Sequence, residues 1–86
     1  MPETLRTFVE RRTETWDELA ALSGRARRQG GLTADEVRRL GASYRGTAAD
    51  LAIARRRFPQ DPVTARLEGL VAEARRAFAD PTVATK

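Results

Sequence analysis

Residues 29–37 read QGGLTADEV, and this short stretch decides how the chain is divided. Gly30 and Gly31 readily take the left-handed backbone conformation in which helices end. Thr33, with Glu36 three residues later, has the spacing of a capping box: the hydroxyl accepts the N–H of Glu36 and the carboxylate accepts the N–H of Thr33. Leu32 before the cap and Val37 after it form the matching hydrophobic staple. A stop followed at once by a start predicts two helices joined by a tight turn.

On the N-terminal side of the turn, Leu5, Phe8, Val9, Trp16, Leu19, Leu22 and Ala26 recur at steps of three and four, the period of one helical face. The spacing predicts a helix over about 4–29. On the other side, Val37, Leu40, Tyr44, Ala48, Leu51 and Phe58 continue the same period until Pro59, which predicts a second helix over 33–58. Asp61 followed by Pro62 is a further start signal, a capping carboxylate with proline at the first helical position. A third helix over 62–79 then carries Val63, Leu67, Leu70, Val71, Ala74 and Phe78, and Asp80–Pro81 ends it. Both connections are short, so consecutive helices should be antiparallel neighbours. The expected fold is all-α: a long antiparallel helical hairpin with a shorter third helix laid against it, a three-helix bundle. The expected organisation is one helical domain over 1–80 and a tail over 81–86.

Composition narrows the chemistry. Of 86 residues 41% are hydrophobic and 33% are charged, the balance of an ordinary globular chain. There is no cysteine and no histidine. No disulfide framework can form, which fits a reducing compartment, and zinc ligation through Cys or His and Ser-His or Cys-His catalysis are excluded. The apolar runs fall far short of the roughly 20 residues that span a bilayer. Met1 to Leu5 lacks the pattern of a secretory signal, and cytoplasmic residence is expected. No Gly-rich phosphate loop, nucleophile motif or metal-ligand spacing is present. Glu10, Glu14, Asp17 and Glu18 repeat along an exposed helical face, as solubility requires. No catalytic, cofactor-binding or metal-binding residues are therefore expected, and the chain is not read as an enzyme.

The net charge is +4, and Lys86 is the single lysine. Residues 1–32 carry six arginines against five acids, residues 33–58 six against three, and residues 59–86 four basic residues against four acids. The excess is centred on the second helix. Arg27–Arg28, Arg38–Arg39, Arg55–Arg56–Arg57 and Arg75–Arg76 are scattered around several faces, with acids near many of them at helical spacing. A nucleic-acid interface, which calls for a concentrated basic stripe, is disfavoured. An anionic membrane surface is the next option.

Arg12 interrupts the apolar stripe of the first helix. Either its stem packs on the core while the head reaches water, or it pairs with Asp50 on the flank of the second helix's stripe. Trp16 and Tyr44 lie on inward stripes, where each brings apolar area and a polar tip that needs a hydrogen bond. Ile53 lies near Ala42 and Ala49 on the face of the second helix away from Leu51. That patch either receives the third helix, the expected case, or is open to a partner.

Phe8, Arg11–Arg12 before Trp16 and Leu19, Tyr44–Arg45, Asp50–Leu51–Ala52 with Ala54–Arg55, Pro59, and Leu67 with Leu70–Val71 and Ala74–Arg75 together resemble the N-terminal region of stage II sporulation protein M-like membrane proteins. The likeness covers roughly residues 5–78 and is strongest in the run from Tyr44 to Arg55, through which Arg45 and Arg55 join the candidate residues. It implies a cytosolic helical domain ahead of a multi-span membrane domain, held at the inner face of the cell membrane. In sporulating relatives such proteins join a membrane complex that recruits and regulates cell-wall hydrolases. The resemblance carries over no catalytic residues. The spans that should follow are missing here, which reads as an excised domain or a stand-alone relative. A protein partner, self-association into a homo-oligomer and contact with an anionic membrane surface are the expected interactions.

Overall fold

The computed structural model describes residues 3–29 and 31–79. It contains three helices, α1 (Leu5–Gln29), α2 (Ala34–Arg57) and α3 (Pro62–Ala79), and each packs against both others. The all-α three-helix bundle expected from the periodicity is the observed fold.

Local chemistry sets the helix ends. Thr33 caps α2 as its spacing required: its hydroxyl accepts the N–H of Glu36 at 3.1 Å, and the Glu36 carboxylate accepts the N–H of Thr33 at 2.9 Å. At the far end Phe58 closes α2 by donating its N–H to the Ala54 carbonyl at 2.7 Å. The following proline disfavours helical backbone at Phe58 itself, so the helix ends at Arg57, one residue before the expected bound. Asp61 caps α3, its carboxylate accepting the N–H of Val63 at 2.9 Å. Thr64, buried at the start of α3, donates its hydroxyl to the Phe58 carbonyl at 2.7 Å and pins the helix beneath the turn. At the head of α1 the Thr4 hydroxyl accepts the N–H of Thr7 at 3.1 Å, a cap that the periodicity did not single out. The glycine stop expected at Gly30, the Asp80–Pro81 stop and the tail lie outside the described residues.

The core is layered along the bundle. Leu19, Leu22, Ala26, Leu32, Leu40, Ala74 and Ala77 fill the end where α1 turns into α2. Phe8, Trp16, Leu51, Ala54, Leu67 and Val71 fill the opposite half. Tyr44 and Leu70 are half-buried against both clusters. The Phe8 ring stands edge-on to Trp16 at 5.5 Å, a favoured aromatic geometry.

One core expectation is corrected. Phe78 was expected on the buried stripe of α3, but its neighbour Ala77 is fully buried and Phe78 is 45% exposed. From Ala74 the buried row steps by three to Ala77 instead of by four to Phe78. Ala26, Ala74 and Ala77 fill this end between Leu19, Leu22, Leu32 and Leu40, and a methyl group completes the row where a phenyl ring would overfill it. Phe78 instead covers the edge of Tyr44, ring centroids 5.2 Å apart.

Candidate functional site

Three of the sequence-selected residues meet at one point between α1 and α2. Asp50, 5% exposed, holds a single carboxylate oxygen, Oδ2, against two donors from α1: Arg12 Nε at 2.7 Å and Trp16 Nε1 at 2.8 Å. Arg12 and Trp16 are four residues apart and share one helical face, so both reach the same acceptor. Of the two readings of Arg12, the ion pair with Asp50 is the one formed. Gly46, one turn before Asp50, makes room for it. A Cβ at Gly46 would lie 2.9 Å from Arg12 Nη2, so the guanidinium lies over bare backbone. Trp16 is fully buried, and the Arg66 guanidinium lies 5.7 Å from its ring centroid, within cation–π range.

A buried charge is tolerated only when it is paired and hydrogen-bonded, and here both conditions hold. The centre has no exposed reactive atom. It ties α1 to α2 at one height along the bundle, with Arg12 and Trp16 opposite Asp50. Thr47 and Ser23, also buried, have hydroxyls without a hydrogen-bond partner among the described residues. Two residues alongside this centre escaped the reading of the sequence. Gly46 was readable only as a small residue one turn from Asp50, and Thr47 carried no signal.

The remaining candidates are dispersed. Tyr44 accepts a hydrogen bond from Arg75 Nε at 3.1 Å, joining α2 to α3. Arg55 reaches Glu68 of α3 at 3.4 Å and is exposed. Ile53 is half-buried in the Phe8–Trp16 cluster. It lies between Asp50 and Arg57 on a row of α2 whose contacts are Arg12 of α1 and the carbonyl of Glu3. The Phe8–Trp16 cluster draws on both α1 (Phe8, Trp16) and α3 (Leu67, Val71), while Ala42 and Ala49 are exposed. Arg45 is exposed, and its guanidinium lies back over Gly41, with Nη1 3.3 Å from where a Cβ there would stand.

A family model described as "Domain of unknown function (DUF8413)" matches residues 6–80, a span that takes in all three helices. The chain belongs to the DUF8413 family. No curated protein and no solved structure matches it.

The exterior of the DUF8413 bundle is charged. The outward face of α2 carries Arg38, Ala42, Arg45, Ala49, Ala52 and Arg56, all exposed. The only acid of α2 after Glu36 is the buried Asp50. The face is therefore a basic strip lined with small side chains. Flanking it, ion pairs tie the bundle together: Arg39–Glu18 at 2.8 Å, Arg27–Glu73 at 2.9 Å and Arg66–Asp17 at 3.0 Å. The Glu18 partner raises the Arg39 pKa above its ordinary value through a hydrogen bond. The Thr33 N–H, followed by the charge of Arg25, holds the Glu36 carboxyl below its usual range. Among the described residues no group of three His, Cys, Asp or Glu is placed to hold a metal ion, and no helix is long and apolar enough to cross a membrane.

Proposed function

We propose that this DUF8413 chain is a non-catalytic helical interaction domain. It docks an acidic surface, of a protein partner or of an anionic membrane, with its own polypeptide among the protein partners. The observation that carries the reading is the outward face of α2: Arg38, Arg45 and Arg56 set among Ala42, Ala49 and Ala52, all exposed and without an acidic side chain after Asp35 and Glu36. Small side chains between the arginines let a flat partner approach closely, and arginine forks suit carboxylate and phosphate oxygens. The resemblance to stage II sporulation protein M-like proteins supports a position at the inner face of the cell membrane in a longer parent protein.

The test is co-sedimentation with phosphatidylserine-containing vesicles, using phosphatidylcholine vesicles as control. A basic residue near such a surface contributes about 1 kcal/mol, so Arg38, Arg45 and Arg56 together give on the order of a 100-fold preference for the anionic vesicles at low salt. R38Q/R45Q/R56Q should abolish that preference. Equal, weak binding of both chains to both vesicles, together with failure to bind any acidic protein surface, refutes the reading. Preferential binding to single-stranded DNA with a steep salt dependence favours the alternative, a small arginine-rich nucleic-acid-binding protein.

A further inference from the structure

Nearly every carboxylate of the described residues is engaged within the chain. Glu3, Glu10, Asp17, Glu18, Asp35, Glu36, Asp50, Glu68 and Glu73 each take an ion pair, and Asp61 caps α3. Glu14 alone takes neither an ion pair nor a hydrogen bond among the described residues, and it is exposed on the outer face of α1. With Thr15 and Glu18 it lines a shallow hollow. On the outer face of α2, Arg45 is equally exposed and equally without an ion pair or a hydrogen bond among the described residues.

These two side chains are opposite in sign and stand level with each other. Arg45 lies between Arg39 and Asp50 on α2, and their partners on α1, Glu18 and Arg12, bracket Glu14. They sit exposed on the outward faces of adjacent antiparallel helices, where each is open to a partner from outside.

We infer that a second copy of this chain supplies it, in a two-fold dimer built on the α1–α2 face; the inference rests on the interaction-domain reading and names the partner. A two-fold axis parallel to the bundle brings α1 of one copy over α2 of the other and preserves height. Arg45 of each copy then enters the Glu14–Thr15–Glu18 hollow of its partner. A closed dimer of this kind makes every contact twice. Ala42, Ala49 and Ala52, exposed on the same face of α2, let the opposing α1 approach. Arg56 comes level with the α1 end that carries Arg6, a like-charge pair that confines the contact to the central turns.

The experiment is sedimentation velocity over a concentration series at low and high salt, on the whole chain and on the variants E14R and R45E. The wild-type chain dimerises at low salt and dissociates as salt rises. Each single reversal weakens association by about tenfold or more, through the loss of two exposed pairs and the repulsion that replaces them. An equimolar mixture of E14R and R45E restores a dimer, because each reversed residue meets its complement. Circular dichroism melts of the variants confirm that these exposed positions leave the fold intact. A wild-type chain that stays monomeric at the highest concentration overturns the dimer, as does a dimer indifferent to either reversal or a mixture that does not recover. If association is absent while R45E still lowers binding to anionic vesicles, the dimer is refuted and the interaction-domain reading stands.

Discussion

Replacing Asp50 with alanine removes the one oxygen on which two donors from α1 converge, and its cost can be worked from their surroundings. Trp16 is fully buried, so its indole N–H loses its only acceptor with no route to water, a penalty of about 1–3 kcal/mol. The Arg12 side chain is 22% exposed, and its head can turn outward. The charged part of the loss therefore falls below the roughly 3–5 kcal/mol typical of breaking a fully buried pair. Together the two effects give about 3 kcal/mol. For a small domain the urea m-value is about 1 kcal/mol/M, so the unfolding midpoint of D50A should fall by about 3 M. D50N retains an acceptor for Trp16 and should lose about half as much. The double-mutant cycle with R12M isolates the ion pair, and D50A should cost about 1–2 kcal/mol less in the R12M background. An identical cost in both backgrounds, or a D50A loss under about 0.5 kcal/mol, refutes the argument that this centre holds α1 to α2.

The two glycines offer an internal control. A Cβ at Gly69 meets nothing within 4 Å, so G69A should stabilise the chain by about 0.5–1 kcal/mol, raising the melting temperature by roughly 4 °C. At Gly46 the added methyl group displaces the Arg12 head, and G46A should destabilise by about 1 kcal/mol in spite of the same propensity gain; a melting temperature at or above wild type contradicts the proposed placement of the guanidinium. Thr33→Ala breaks the capping box and should cost about 1 kcal/mol in chemical denaturation, and a neutral result there rejects the cap. The Glu36 carboxyl is held below its ordinary value of 4.5, so its stabilising contribution is complete above that pH and is lost as pH falls through the lowered value. E36Q should accordingly show a shallower loss of melting temperature on acidification, and an unchanged acid limb removes the carboxylate from the account.

The helices and their starts were legible because they depend on neighbours in sequence. The Thr33–Glu36 spacing, the Asp61–Pro62 pair and the three- and four-residue steps of leucine and alanine are local patterns, and each gave an element within a residue or two of its observed bounds. Arg12 was legible as an anomaly, and Asp50 as the partner in one of its two readings, because a charge inside an apolar stripe must be paired or reach water. Trp16 on the same oxygen was not foreseen, although its spacing of four from Arg12 held the clue. The choice between Ala77 and Phe78 depended on how closely the helices approach, a tertiary quantity that periodicity leaves open between steps of three and four. The equal height of Glu14 and Arg45 follows from a register that exists only once the helices have paired.

That register has a bearing on how the chain avoids misassembly. Should α2 slide one helical turn along α1, the position opposite Arg12 and Trp16 would be taken by Gly46 or Ala54, neither of which has a side-chain acceptor. Both donors would be stranded by the same slip, in either direction. One carboxylate thus discriminates against neighbouring misthreaded hairpins on both sides, while the leucine and alanine rows, which repeat with nearly equal steps, would accept the shifted pairing with far less complaint.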